Sequence, residues 1–122
     1  MEWTTERRYR RYEDWTTEEK QAIQENMAKS PWHTHYHVEP KAGLLNDPNG
    51  FSYFDGKWIL FYQNFPFGAA HGLKSWVQTE SEDLVHFTET GVTLLPDTDL
   101  DSHGAYSGSA MQFGDKLFLF YT

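Results

Sequence analysis

A hairpin that occurs twice constrains the fold more than any other feature of the sequence. Residues 54–63 (FDGKWILFYQ) and residues 113–122 (FGDKLFLFYT) begin 59 positions apart and share Phe, Lys, Leu, Phe and Tyr at matching places. Each copy has apolar residues on both sides of a two-residue turn of Asp and Gly, which is typical of a tight β-hairpin. A hairpin unit repeated after some tens of residues predicts a β-propeller, in which small antiparallel sheets surround a central channel. Chance similarity between two hairpins is the alternative explanation.

The sequence between the two hairpins predicts an otherwise all-β chain. Residues 75–81 and 87–95 have the composition of strands, with an interruption at Gly91, and aromatic residues make up 17% of the chain. Aromatic side chains favour strands and also form flat surfaces for sugars. A propeller needs at least about four blades to close. A chain with the first blade and part of the second is therefore predicted to be an N-terminal fragment, and to have low stability alone.

Residues 1–31 are predicted to form an N-terminal extension with a short helix, and residues 32–122 an incomplete propeller domain. Thr16 and Glu19 have the spacing of a capping box, and Ser30-Pro31 would stop a helix, so we expect one helix over roughly residues 17–29. The four arginines of residues 7–11 are interleaved with acidic residues. This pattern predicts a solvated, salt-bridged segment in preference to an anion-binding site.

Charge and composition exclude several classes of partner. The formal net charge is −8, and no arginine follows Arg11. A protein that binds nucleic acid or an anionic membrane needs a basic surface, which the body of this chain lacks. The chain has no cysteine, so disulfides and thiolate metal sites are excluded. The N-terminus lacks the apolar core of a signal peptide, and a cytoplasmic location is the expectation.

Two segments resemble metal sites, but neither predicts one. His33, His35 and His37 recur at every second residue and would share one face of a strand, yet no further ligand stands at suitable spacing. A polar strand face is therefore favoured. Residues 97–104 imitate the opening of a calcium loop, but Ser102 stands where that loop needs glycine. We predict no metal and no cofactor.

Residues 46–50, Asn-Asp-Pro-Asn-Gly, are all turn formers, and they predict a tight turn that contains the carboxylate of Asp47. The 59-residue shift that aligns the hairpins also aligns residues 46–48 with residues 105–107. The two segments would then lie at the entry of successive blades and face the mouth of the same channel.

Four motifs, taken in order, resemble those of family 32 glycoside hydrolases, the invertase and sucrose-6-phosphate hydrolase group. They are LNDPNG at 45–50, FYQ at 61–63, the segment 76–87 with SEDL, and YSGSA at 106–110. The N-terminal arm and the loop of residues 66–76 resemble the sucrose-6-phosphate hydrolases of Gram-positive bacteria. The resemblance implies a five-bladed propeller followed by a β-sandwich in the complete enzyme.

The resemblance also implies roles for individual residues. Asp47 would be the nucleophile that attacks the fructosyl unit of sucrose 6-phosphate or sucrose with retention of configuration. Trp76 would support the wall of the pocket, and hydrolysis is favoured over fructosyl transfer. The positions that match substrate-binding residues are Leu44, Leu45, Asn46, Gln63, Tyr106 and Ser107.

The chain departs from the family pattern in two respects. Leu44 and residues 71–73 replace aromatic residues of many relatives, so one wall of the pocket is expected to differ. The Arg-Asp motif and the Glu-Cys motif, which carries the general acid, are both absent, and the fragment alone is therefore predicted to be inactive.

Lys74 is the one nearby cation that could receive a phosphate group. The alternatives to an enzyme are a non-catalytic sugar-binding propeller and a plain β-domain.

Overall fold

The computed structural model describes residues 2–122, and Met1 lies outside the described residues. A helical N-terminal arm precedes a four-stranded antiparallel sheet, whose strands are neighbours in chain order, and a separate two-stranded hairpin. The arm contains α1 (Thr5–Arg8), a 3₁₀ turn (Tyr12–Asp14) and α2 (Thr17–Ala28). The strands are β1 (Leu44–Phe54), β2 (Lys57–Phe65), β3 (Ser75–Ser81), β4 (Thr88–Leu94), β5 (Gly108–Phe113) and β6 (Lys116–Tyr121).

The predicted helix is confirmed to within one residue. Thr16 accepts a hydrogen bond from the Glu19 backbone, and the Glu19 side chain accepts one from the Thr16 backbone, which completes the capping box. The short helix α1 was not predicted. Its N-cap, Thr4, accepts a hydrogen bond from the Arg7 backbone.

The arginine-rich segment is salt-bridged, as predicted, but it is not simply solvated. Arg10 pairs with Glu19 at 2.9 Å, yet its guanidinium also lies 4.6 Å from the ring centre of Trp15. Trp15 is 2% exposed and stacks on Phe67 with ring centroids 4.2 Å apart. The prediction of a solvated segment is wrong for Arg7 and Arg10, because the arm buries its aromatic rings against the loop after β2 and these two arginines pack over those rings.

Both predicted hairpins are confirmed. Asp55 and Gly56 join β1 to β2 with φ angles of 49° and 79°, and two positive values are what the favoured two-residue hairpin turn requires. Residues 114–115 also form a two-residue turn, between β5 and β6, since Phe113 pairs with Lys116; here only Gly114, with φ 63°, has a positive φ. The strand β3 has the predicted bounds. In β4, the predicted interruption at Gly91 is a shift of register against β3.

The predicted turn at residues 46–50 is wrong, because these residues lie inside β1. The pairing of β1 with β2 shifts register between Asn46 and Pro48 and again between Asn49 and Ser52. Asp47, with φ 44°, is the extra residue at the first shift. The same residue types that favour a turn also favour a β-bulge, and β1 is an edge strand of its sheet, where a proline without an N–H is tolerated.

The predicted strand with three histidines is also wrong, because residues 32–38 form no strand. His33 instead folds back onto the end of α2, where its Nε2 lies 3.0 Å from the Met27 carbonyl oxygen and its Nδ1 2.6 Å from Glu39. Within residues 2–122, no three potential ligands are grouped to hold a metal ion. No helix in the same range has the length and apolar character to cross a membrane.

One core cluster joins the arm to the end of β2 through Trp15, Phe65 and Phe67, and the other lies between the four-stranded sheet and the β5–β6 hairpin. Ile59, Phe61 and Trp76 from the sheet pack with Ala105 and with the partly buried Leu117, among others. The Trp76 indole N–H also donates to the Tyr106 carbonyl at 3.0 Å. These contacts hold the segment that enters β5 against the sheet, next to β1.

Candidate active site

Asp47 presents an exposed carboxylate on the bulge of β1. Asn49 stabilises the bulge by donating from Nδ2 to the Asp47 carbonyl at 2.9 Å. The carboxylate oxygen Oδ2 accepts a hydrogen bond from the Ser107 hydroxyl at 3.0 Å and one from Gln63 Nε2 at 3.3 Å. Both donors contact the same oxygen, so the side chain is held in one orientation while Oδ1 faces away from them.

Gln63 connects the residues of this cluster. It lies on β2, is 2% exposed and pairs with Asn46 across the strands. Its Oε1 accepts from Asn46 Nδ2 at 3.0 Å, and its Nε2 donates to the Ser107 hydroxyl at 2.5 Å. The structure thus brings together four of the residues expected at the site: Asn46, Asp47, Gln63 and Ser107.

Backbone hydrogen bonds place Ser107 opposite Asp47. The Ala105 N–H donates to the Lys74 carbonyl at 2.9 Å, and the Tyr106 N–H to the Thr122 carbonyl at 2.7 Å. With the bond from the Trp76 indole to the Tyr106 carbonyl, they fix the two residues that immediately precede Ser107. In the structure, residues 46–48 and residues 105–107, which the 59-residue shift aligns, come together through the hydrogen bond from Ser107 to Asp47; the placement of the two segments at a channel mouth stays a prediction.

The other three expected site residues contribute less directly. Leu44 and Leu45 are half-buried at the start of β1, opposite Phe65 and Asn64. Tyr106 is 40% exposed, and its hydroxyl donates to the His103 carbonyl at 3.0 Å. The hydrogen bonds of these residues do not include the Asp47 carboxylate, so their roles in binding substrate stay predictions.

Lys74, which the sequence placed near the pocket as a possible phosphate ligand, belongs to the cluster itself. It is 1% exposed, and its ammonium group donates to Asn46 Oδ1. Burial lowers the pKa of Lys74 to about 8, and the negative charge of Asp47 counteracts this shift. A buried ammonium bound to Asn46 is not open to an external phosphate, so this placement does not support the phosphate hypothesis.

Three of the four later glutamates have partners away from Asp47, and the fourth, Glu82, is exposed. Glu39 binds His33, and Glu80 pairs with Lys57 at 2.6 Å. Glu89 accepts from the Tyr62 hydroxyl at 3.1 Å. The cluster therefore has the parts of a positioned carboxylate nucleophile, and these glutamates do not provide the acid that would complete the pair.

Comparison with known proteins assigns the family. The profile described as the N-terminal domain of glycosyl hydrolases family 32 matches residues 37–122. The chain belongs to glycosyl hydrolase family 32. Its mostly β structure with short N-terminal helices agrees with the prediction, and it corresponds to the N-terminal part of the family's catalytic domain.

Individual relatives agree with the family assignment. The chain is 76% identical to the sucrose-6-phosphate hydrolase of Streptococcus mutans over 94% of its own length and 24% of the relative's length. The solved sucrose-6-phosphate hydrolase of Lactobacillus gasseri matches 97% of the chain with a TM-score of 0.93 and 53% identity. A mutant β-fructofuranosidase of Bombyx mori, solved with sucrose, matches 86% with a TM-score of 0.68 and 33% identity. The chain spans about a quarter of the length of these proteins.

Proposed function

We propose that this family 32 chain supplies the nucleophile of a retaining enzyme that hydrolyses the fructosyl bond of sucrose 6-phosphate or sucrose. The observation that carries the proposal is the Asp47 carboxylate, exposed on a bulge and held at one oxygen by Ser107 and Gln63. The similarity to sucrose-6-phosphate hydrolases supports the choice of substrate.

The geometry suits nucleophilic attack. A carboxylate is a weak nucleophile and reacts usefully only when it is held in line with the bond that breaks. Oδ1 of Asp47 would form a bond to the anomeric carbon of the fructosyl unit as the bond to the leaving oxygen breaks. The leaving oxygen takes its proton from a general acid, and water then hydrolyses the fructosyl-enzyme with overall retention. The amide of Asn46, next to Asp47 in the chain, would bind fructosyl hydroxyls.

The general acid would come from a part of the enzyme other than this chain. Glu39, Glu80 and Glu89 are occupied by other partners, and retaining glycosidases need a second carboxyl group about 5 Å from the first. Residues 1–122 alone are therefore expected to release no glucose or glucose 6-phosphate from these sugars.

The proposal includes an architecture and a location. The sheet β1–β4 would be the first blade of a five-bladed propeller, and the β5–β6 hairpin the start of the second. Residues 1–31 would be an extension of the propeller domain that begins at residue 32, and the family profile, which starts at residue 37, supports this division. The partner would be a small sugar in the cytoplasm, with no nucleic acid and no membrane.

Trapping of the covalent intermediate tests the proposal. The completed enzyme, meaning this chain joined to the remaining three quarters or so of the Streptococcus mutans relative, is mixed with sucrose and quenched in acid within one turnover. After digestion, mass spectrometry should find one fructosyl unit on the peptide that contains Asp47. A fructosyl unit on another residue, or turnover with inversion, would contradict the proposed role. Binding of sucrose by the completed enzyme without any turnover would favour the non-catalytic sugar-binding alternative.

The N-terminal arm should support the same site from outside. The Tyr12 hydroxyl donates to the Leu73 carbonyl at 3.1 Å, next to Lys74, and burial raises the pKa of Tyr12 strongly. Tyr12→Phe removes this hydrogen bond and leaves a part-buried carbonyl without it. We expect the completed enzyme to lose about 1 kcal/mol of unfolding free energy, measured by urea denaturation. Tyr36→Phe is the control, because Tyr36 is 81% exposed; equal losses in the two variants would show that the arm contributes nothing specific.

A further inference from the structure

Lys74 is a buried cation for which the proposed chemistry has no role. The loop of residues 101–105 covers it so closely that a Cβ atom on Gly104 would lie 2.8 Å from the Lys74 backbone nitrogen. An ammonium group loses its water when it is buried, and this is unfavourable unless polar partners compensate. The partners of Lys74 therefore show what the burial achieves.

The ammonium group fixes the orientation of the Asn46 side chain. Lysine can donate hydrogen bonds but cannot accept them. Because Lys74 donates to Asn46, the amide oxygen of Asn46 must face Lys74 and its NH₂ group must face away. The NH₂ group donates to Gln63 Oε1 at 3.0 Å. The orientation of one amide thus determines that of the next.

The hydrogen bonds then run in one direction from the cation to the carboxylate. Since Gln63 Oε1 is occupied by Asn46, its NH₂ group faces Ser107 and Asp47, at 2.5 and 3.3 Å. The Ser107 hydroxyl accepts a hydrogen bond from Gln63 and donates its own hydrogen bond to Asp47. Every donor in this series points toward Asp47, so each bond supports the polarity of the next.

The reverse orientation would oppose the nucleophile. If the Asn46 amide turned over, its NH₂ group would face the Lys74 ammonium and its oxygen would face Gln63. Gln63 would then turn as well and place its amide oxygen beside the carboxylate of Asp47, where two acceptors repel each other. Carboxamide side chains have nearly the same shape in both orientations. The donor-only chemistry of Lys74 is what distinguishes the two.

We infer that Lys74 is a positioning residue, which orients the amides of Asn46 and Gln63 so that N–H donors face the nucleophile Asp47. The inference rests on the proposed function, because it assigns Lys74 a role in the chemistry of Asp47. Lys74 would act through Asn46 and not on the reacting atoms. Because Lys74 does not touch the reacting atoms, a variant of Lys74 can change the reaction rate without changing the stability of the fold.

The protonation of Lys74 is consistent with this role. Burial lowers the pKa of Lys74 to about 8, and the charge of Asp47 opposes the shift. A lysine with that pKa is mostly protonated at neutral pH and so keeps its donor-only character there. The geometry of the four side chains, and not this value, carries the inference.

Lys74→Met in the completed enzyme separates positioning from structural support. Methionine has a similar length but no charge, and it is better suited to a buried site than an ammonium group. We expect kcat to fall about 100-fold, as for other misplaced catalytic groups, while the thermal midpoint stays the same or rises. Lys57→Met is the matched control, because Lys57 pairs with Glu80 at the surface. An unchanged kcat in Lys74→Met, or a loss of folded protein alone, would overturn the inference.

A double variant tests whether Lys74 acts through Asn46. If it does, Lys74→Met should reduce kcat much less in an enzyme that already carries Asn46→Ala, because the amide to be oriented is missing. If the fold-loss of kcat in the double variant equals the product of the losses in the two single variants, Lys74 and Asn46 act independently, and the inference is overturned.

The intermediate-trapping experiment, run on the same preparations, separates the two proposals. A fructosyl label on Asp47, together with full activity of Lys74→Met, would leave the nucleophile in place and remove only the role of Lys74. A label on another residue would remove both.

Discussion

Asp47→Asn in the completed enzyme is expected to lower kcat by about 10⁴-fold or more, as for the loss of other catalytic nucleophiles. Asparagine is chosen because Asp47 has φ 44°, a backbone conformation that asparagine tolerates better than alanine. The bulge should therefore persist while the negative charge is lost. Initial rates of glucose release from sucrose, and of glucose 6-phosphate release from the phosphorylated sugar, measure the effect.

The control for this prediction is Asp55→Asn, in the β1–β2 turn. Asp55 also has a positive φ, 49°, but lies at the far end of the hairpin from the cluster. The kcat of the Asp55→Asn variant should equal that of the unmodified enzyme. Turnover by Asp47→Asn within tenfold or so of the unmodified rate would contradict the nucleophile role. We expect Asp47→Asn to bind sucrose as the unmodified enzyme does but not to turn it over, and calorimetric titration with sucrose measures this binding.

The hairpins and the helix α2 could be predicted from the sequence because their determinants are local. The capping box of α2 involves residues three apart, and the Asp55-Gly56 turn sets the register of its two strands. The repeat added information of longer range, since it aligned residues 46–48 with residues 105–107, and the structure shows a hydrogen bond between these two segments, from Ser107 to Asp47.

The parts that were not predicted depend on contacts between distant segments. Residues 46–50 suit a turn or a bulge equally, and the partner strand β2 decides between them. The segment around His33 finds no partner strand and instead binds the end of α2. The burial of Lys74 depends on the loop of residues 101–105, about 30 positions away. No local pattern distinguishes this lysine from an exposed one.

Trp76→Ala should have the largest effect on stability in the chain. Trp76 is 0% exposed and packs on Phe61 and Tyr121, with ring centroids 5.6 and 6.2 Å apart. Removal of a fully buried tryptophan leaves a cavity and costs about 3–5 kcal/mol. The midpoint of urea unfolding of the completed enzyme measures this loss. Trp32→Ala is the control, because Trp32 is 86% exposed, and its effect should stay within about 0.5 kcal/mol.

Trp76→Phe examines how this core residue supports the active site. Phenylalanine keeps most of the apolar volume but removes the indole N–H that binds the Tyr106 carbonyl at 3.0 Å, at an expected cost of about 1–3 kcal/mol. The Tyr106 carbonyl immediately precedes Ser107, whose hydroxyl binds Asp47. The segment should therefore move, and kcat should fall even at temperatures where the variant is fully folded. Full activity of folded Trp76→Phe would show that the backbone bonds of Ala105 and Tyr106 suffice to hold Ser107 against the nucleophile.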